Sequence, residues 1–292
     1  VLLLFATLVS FSNSQLCHVI AMSGGGSRAA YQAGAIYELI ESLPAEDVTW
    51  DIVSGVSGGA MNAARMSSYS VGDELSMAEG LKVFWHEMAT EDIWKMWEGG
   101  LVEGILNQSG VFNSTPAEET VTKMYSEMPP KRGMVVSSVD SKDGVYHSFT
   151  ELTDFEDLPL VVMASGAAPG VFPPKHLDEM VLMDGGTVWN TNFEVPIKRC
   201  LELVDRQDQI VVDIAICQHA ELSETYAGDS TIDNILRQHE IKSYYKTLED
   251  LYEFSEANPE VNFRYVFVPS EAIPGGVHML NFNGDHTDPF FQ

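Results

Sequence analysis

The sequence predicts an α/β fold: a single layered domain with a central, mostly parallel sheet flanked by helices. Three observations predict it. Short apolar runs recur along all 292 residues, and strands buried on both faces read as such runs. Twice near the N-terminus a run breaks at glycines and resumes with apolar positions at helical spacing, which is the strand–turn–helix signature of layered α/β domains. The chain also lacks internal repeats, low-complexity tracts and Gly/Ser/Pro-rich linkers, so one domain over 15–292 is the simplest organisation.

The elements follow in order. Cys17–Met22 reads as the first strand, Ser23–Arg28 as a glycine turn, and 29–42 as a helix. A second run from Trp50 to Val56 breaks at Gly55–Gly59 and resumes as the helix starting AMNAARM. Residues 73–130 are helical and rich in Met and Trp (Trp85, Met88, Trp94, Met96, Trp97). A glycine-bearing interruption falls at Gly99–Gly110, and a helix start at Ser114-Thr115-Pro116. Further strands are expected at 133–140, 144–150, 180–186, 210–217 and 262–268, with a polar helix over about 231–255.

Residues 1–14, VLLLFATLVSFSNS, have the shape of a signal-peptide apolar core and cleavage region, with Ser12 and Ser14 at the −3 and −1 positions. The run is shorter than the roughly 20 residues a membrane span needs. The sequons at Asn107 and Asn113 agree with entry into the secretory pathway, as a secreted or endomembrane protein. Against it, no basic residue precedes the run, which could instead form a buried strand.

With 16 basic and 43 acidic residues, the net charge is −27. Such a surface repels phosphate backbones, which argues against nucleic-acid binding and against docking through a polybasic patch. Zwitterionic lipid and small neutral esters remain compatible. Cys17, Cys200 and Cys217 allow at most one internal bridge, and their spacing specifies neither a pairing nor a zinc site. The oxygen-rich tail Asn281–Asp288 is only loosely like a calcium loop and lacks the terminal Glu, so a turn is expected there and no metal.

Gly55-Val56-Ser57-Gly58-Gly59 matches G-x-S-x-G. The pattern is common, but here it follows a strand and precedes a helix, the setting in which a sharp turn exposes a nucleophilic serine. Serine needs a base, yet none of the eight histidines sits in a motif that singles it out, His147 and His219 included. The short stretch before Ser57 also leaves room for only one βα unit, which does not fit the usual hydrolase order. Gly24-Gly25-Gly26-Ser27-Arg28 could form an oxyanion hole, a phosphate nest or a plain turn. Asp184-Gly185-Gly186 closes another apolar strand and could equally be an ordinary turn.

Taken in order, these three motifs resemble those of the patatin-like phospholipase family. Ala164–Pro174 is similar to the family's segment before its acidic motif, and Asn192 with Pro196 to its N-x-P region. Ala29 departs from the family's usual glycine. The resemblance covers about 17–215, and after Ala220 no family pattern is evident. It implies a catalytic dyad in which Ser57 attacks an acyl carbonyl and Asp184 accepts its proton. The amides of Gly25 and Gly26 would stabilise the oxyanion, helped by Gly24 and Arg28, with Gly58 also at the site. Gly55, Gly59, Gly185 and Gly186 complete the motifs. No cofactor or catalytic calcium is implied. The expected activity is lipid acyl-ester hydrolysis of phospholipase A or lysophospholipase type, acting on a lipid substrate or at a membrane interface. The alternatives are an inactive lipid-binding protein of the same fold and a soluble carboxylesterase that uses Ser57 with a histidine. The Met- and Trp-rich middle is either ordinary core or a lipid-facing cap.

Overall fold

The computed structural model describes residues 15–219, 221–222 and 230–291; the expected signal segment 1–14 lies outside the described residues. Among the described residues eight strands form one sheet: β1 (Cys17–Met22), β2 (Ile52–Gly55), β3 (Gly133–Asp140), β4 (Tyr146–Thr150), β5 (Lys175–Leu177), β6 (Met180–Asp184), β7 (Ile210–Ala215) and β8 (Asn262–Phe267). Their order is β5-β6-β3-β2-β1-β7-β8, with β4 also paired to β3. From β3 to β8 the strands run parallel, whereas β4, β5 and β6 join antiparallel. The expected central, mostly parallel sheet is therefore present, with an antiparallel edge that makes it mixed.

Helices cover both faces, because the central strands β1 and β7 are buried along their whole length. Against one face pack α1 (Ala30–Ser42), α2 (Gly58–Ser67), α3 (Glu74–Glu87), α5 (Thr115–Glu127) and α6 (Leu158–Ser165), around Ile20, Trp50, Trp85, Met134 and Leu158. Against the other pack α7 (Glu194–Cys200) and α8 (Thr231–Ala257), around Val19, Val212, Phe193 and Ile197. Because α2 is sandwiched, nine of its ten residues are buried, and its one interior amide is fully used. Asn62 Nδ2 donates to the Ala29 carbonyl and Gln32 Oε1, and its Oδ1 accepts from Trp85 Nε1. An unsatisfied amide there would cost about 1–3 kcal/mol.

Cys17 of β1 and Cys200 of α7 form a disulfide between fully buried positions, with Cα atoms 5.6 Å apart, and Cys217 remains a buried free thiol. One expectation needs correction. The stretch Gly99–Gly110 does not interrupt the helical region but contains a short helix, α4 (Gly100–Leu106). Its Leu101, Val102, Ile105 and Leu106 are exposed, Leu106 by 73%.

Candidate active site

Strands β1 and β2 end side by side, with Met22 opposite Gly55. Both chains leave the sheet at its carboxyl edge, where open α/β sheets bind ligands. From β2 the chain turns abruptly into α2 at Ser57, whose φ of 55° and ψ of −122° lie where non-glycine residues rarely go. Such a conformation costs on the order of 1–3 kcal/mol and persists only where the surroundings impose it. Here Val56 N–H donates to the Met22 carbonyl (3.2 Å), Gly59 N–H to the Val56 carbonyl (2.8 Å), and Ser57 N–H to Ser165 Oγ (3.0 Å). Gly58 must lack a side chain, since a Cβ there would lie 2.4 Å from the Gly26 carbonyl oxygen. The elbow is thereby pressed against the glycine loop, and Ser57 stays half-buried beside it.

That loop, 23–26, leads into a short 3-10 turn (Gly26–Ala29) and then α1. Among the described residues, the N–H groups of Gly25, Gly26 and Gly58 donate to no acceptor, so all three can serve a developing oxyanion. The two expected helpers are engaged to different extents. Gly24 N–H donates to the Asn190 carbonyl (3.1 Å). The Arg28 guanidinium is buried in an ion pair with Glu240 of α8 (3.0 Å). Gly24 thus lines the site and holds it in shape, whereas Arg28 Nε is a buried donor with no hydrogen-bond partner among the described residues.

Asp184 ends β6, opposite Ser138 of β3, and is 2% exposed. Its Oδ1 accepts from Gly186 N–H (2.8 Å), and its own N–H donates to the Ala167 carbonyl (3.0 Å). Segment 164–174 therefore touches both motif residues, reaching Ser57 through Ser165 and Asp184 through Ala167. Gly24, Gly25, Gly26, Arg28, Ser57, Gly58 and Asp184 all line one cavity of about 310 Å³. Gly55, Gly59, Gly185 and Gly186 shape the turns behind it. Met61, Ile93, Met163, Val171, Phe172 and Phe282 form an apolar wall, and Gln238, Lys242 and Ser243 of α8 a polar one.

Several supporting residues carried no signal in the sequence, because only tertiary folding brings them to the motifs. Asn190 holds the glycine loop from both ends, through its carbonyl to Gly24 N–H and its Nδ2 to the Gly24 carbonyl (3.3 Å). It is held in turn by α8, where Thr247 Oγ1 accepts from its side chain (3.0 Å) and Asp250 Oδ2 from its N–H (3.1 Å). Burial pushes the Asp250 carboxyl up to about 6, against the opposing pull of Lys246. Burial likewise raises the Cys217 thiol, which donates to the Gly24 carbonyl (3.2 Å) and receives no role in acid–base chemistry here.

Other candidates are not brought to the cavity. No histidine lines it among the described residues. His219 bonds to the carbonyls of Glu221 and Ser270, and His147 sits in β4. The side-chain oxygens of Asn281 and Asn283 accept from Thr90, so the tail stitches the chain internally. Among the described residues, no group of three or more potential metal ligands occurs. Trp85 and Met88 are core, whereas Trp94 and Trp97 pack half-buried, with their Nε1 donating to the Leu280 and Gly110 carbonyls.

The sequence model of the patatin-like phospholipase family matches residues 20–197. The chain is 23% identical to a cGAMP-activated phospholipase of Pseudomonas aeruginosa, over 94% of this chain and 90% of that one. Among solved structures it is similar to VipD of Legionella pneumophila, at a TM-score of 0.42 and 14% identity over 95% of this chain and 67% of that one. ExoU of Pseudomonas aeruginosa, in its complex with SpcU, matches at a TM-score of 0.34 and 14% identity, over 82% of this chain and 52% of that one.

Proposed function

Given that the chain belongs to the patatin-like phospholipase family, we propose that it is a lipid acyl hydrolase of phospholipase A or lysophospholipase type, working through a Ser57–Asp184 dyad. The observation that carries this reading is the convergence on one cavity of the strained Ser57, the buried Asp184 and three undonated amides, with no histidine among the described lining residues. Ser57 Oγ adds to the ester carbonyl as Asp184 takes its proton. The N–H groups of Gly25, Gly26 and Gly58 receive the oxyanion. Collapse expels the alcohol, which recovers the proton, and leaves an acyl-serine. Water then repeats the addition with the same acid–base partner and releases the fatty acid. The apolar wall from Met61 to Phe282 accommodates the acyl chain.

The exposed apolar face of α4 meets the lipid surface in this reading. The chain around α4 is tied to the cavity rim, since Gly110 bridges to Gly170 and Trp97 bonds to the Gly110 carbonyl. A net charge of −27 favours zwitterionic over anionic interfaces. We also place the protein in the secretory pathway. The buried Cys17–Cys200 disulfide supports this, because such bonds persist in oxidising compartments. N-terminal sequencing of the protein made in secreting cells should then start at Gln15.

The test is fatty-acid release from phosphatidylcholine, lysophosphatidylcholine and triacylglycerol in excess EDTA, with wild type beside Ser57→Ala and Asp184→Asn. Activity confined to wild type is expected. Full activity in folded Asp184→Asn would sink the dyad.

A further inference from the structure

Attachment of a glycan to asparagine needs the triplet Asn-x-Ser/Thr, with x other than Pro, on a part of the surface where a bulky polar group can stand. The chain carries this triplet twice, at Asn107-Gln108-Ser109 and at Asn113-Ser114-Thr115. In sequence the two are equivalent, and the fold separates them. Asn107 closes α4, with its N–H donating to the Glu103 carbonyl (2.9 Å). Gln108 and Ser109 follow in a turn before the bridge at Gly110, and all three residues of the triplet are exposed. The Asn107 side chain lies on the surface, where Nδ2 donates to Glu103 Oε2 (2.7 Å). An amide that carries a sugar keeps one N–H, so this bond is compatible with the modification.

Asn113 has the opposite surroundings. It is half-buried, and its N–H and carbonyl form a bridge with the carbonyl and N–H of Lys95, at 2.9 Å in each direction. Its Oδ1 accepts from Thr115 N–H (2.9 Å), which folds the side chain back over the start of α5. Its neighbours Phe112 and Ser114 are buried. Pro116, next in sequence, restricts the backbone of Thr115, whose hydroxyl the triplet must bring to the asparagine amide. The first triplet has room for a bulky group, whereas the second is built into the framework that joins α4 to α5.

The place of Asn107 on α4 matters as well. A helix advances about 100° per residue, so Leu101, Val102, Ile105 and Leu106 share one face, and Glu103 with Asn107 forms a row on the other side. The hydrogen bond between the two keeps the Asn107 side chain on that row. A glycan there flanks the exposed apolar face without covering it. We infer that Asn107, and not Asn113, is N-glycosylated, and that the glycan stands on the polar side of α4 and leaves the apolar side open to lipid. In the transfer, Asn107 Nδ2 gives up one proton to solvent and bonds the anomeric carbon of the first sugar. That carbon's bond to a lipid-linked pyrophosphate breaks, and the lipid pyrophosphate departs. The inference rests on the secretory reading above and adds a modification that the reading does not specify.

The experiment expresses the chain, with residues 1–14 in place, in secreting eukaryotic cells as wild type, Asn107→Gln, Ser109→Ala and Asn113→Gln. The readouts are N-terminal sequencing, gel mobility before and after enzymatic removal of N-glycans, and peptide mass mapping. Secreted wild type starting at Gln15 should show the deamidation mark that enzymatic release leaves at Asn107. Its mobility shift should vanish in Asn107→Gln and Ser109→Ala and persist in Asn113→Gln. Ser109→Ala keeps the asparagine, so loss of the shift there reports the triplet rather than a change at residue 107. Secreted, cleaved wild type with no glycan on Asn107, or with one on Asn113, overturns the inference and leaves the secretory reading standing. An uncleaved, unglycosylated chain retained in the cells refutes the secretory reading, and the inference with it. Co-sedimentation with phosphatidylcholine vesicles tests the placement, on wild type with and without its glycan. Affinities within about threefold of each other are expected. A larger gain on removal would put the glycan over the apolar face, and binding by neither form would take α4 out of contact with lipid; either result overturns the placement.

Discussion

Replacing Gly24 with alanine isolates the geometry of the glycine loop beside Ser57. Gly24 is not among the residues with positive φ, so alanine can adopt its backbone and the perturbation is purely steric. The new Cβ would lie 2.9 Å from Ser57 Cβ and 2.7 Å from Asn190 Oδ1. Carbon atoms rest at about 3.5–4.0 Å, so the loop must retreat from Ser57 by about 0.6–1.1 Å. The adjoining Gly25 and Gly26 amides move with it. A displacement near 1 Å at a reacting centre costs on the order of 10²-fold in rate, so kcat should fall by about that factor. Overpacking should also lower stability by about 1–3 kcal/mol. The assay is turnover of a soluble chromogenic ester, which removes any interfacial step, beside thermal melting by circular dichroism. Loss of turnover with the fold intact at the assay temperature is expected. A Gly24→Ala protein that keeps kcat within about twofold would refute the placement of the loop against the nucleophile.

Three other outcomes follow from the structure. Replacing both bridged cysteines by alanine, Cys17→Ala with Cys200→Ala, should destabilise the protein by about 2–5 kcal/mol in denaturant titration, and wild type in reductant should shift the same way. Asp250 should make stability fall as pH rises. Its carboxyl is raised from 3.8 to about 6, so between those values the folded state binds more protons than the unfolded one. The site's stabilisation is therefore full below about pH 4, declines through about pH 6 and is level above, by up to about 3 kcal/mol. Asp250→Asn should gain on wild type across that window in melting experiments, and a constant difference would contradict the assignment. Finally, Val102→Asp with Leu106→Asp on α4 should lower the ratio of vesicle to soluble-ester turnover about 10-fold or more, since two exposed apolar side chains lose their place in lipid. An unchanged ratio would remove α4 from the interface.

Much of this architecture is legible in the chain because buried parallel strands leave an unbroken apolar trace. Strands β1 and β3 fall on the residues expected, and the helix over 231–255 extends only to Ala257. Strand β5 escapes because Lys175-His176-Leu177 is a three-residue, partly exposed edge hairpin with no apolar period to read. Helix α4 escapes because its glycines read as punctuation, although Gly104 is buried against the following loop. The residues expected at the site converge on the cavity, since each sits in a local turn with its own pattern. What holds those turns does not show locally. Ser165 meets Ser57 across 108 residues, Glu240 meets Arg28 across 212, and Cys17 pairs with Cys200 across 183. Such pairings depend on which strands become neighbours, and spacing carries no record of that.

The disulfide also divides the polypeptide topologically. The bond between Cys17 and Cys200 closes a covalent ring that contains Gly24, Ser57, Ser165, Asp184 and Asn190, whereas α8 lies outside it. A backbone break in the exposed 141–145 turn would leave Gly24, Ser57, Ser165, Asp184 and Asn190 on one cross-linked piece. A break beyond Cys200 would instead detach α8, with Lys242, Glu240 and Asp250, from everything but noncovalent contacts. The residues of the candidate site are thus held within one covalent ring, while the α8 wall of the cavity lies outside it and keeps its place through noncovalent contacts.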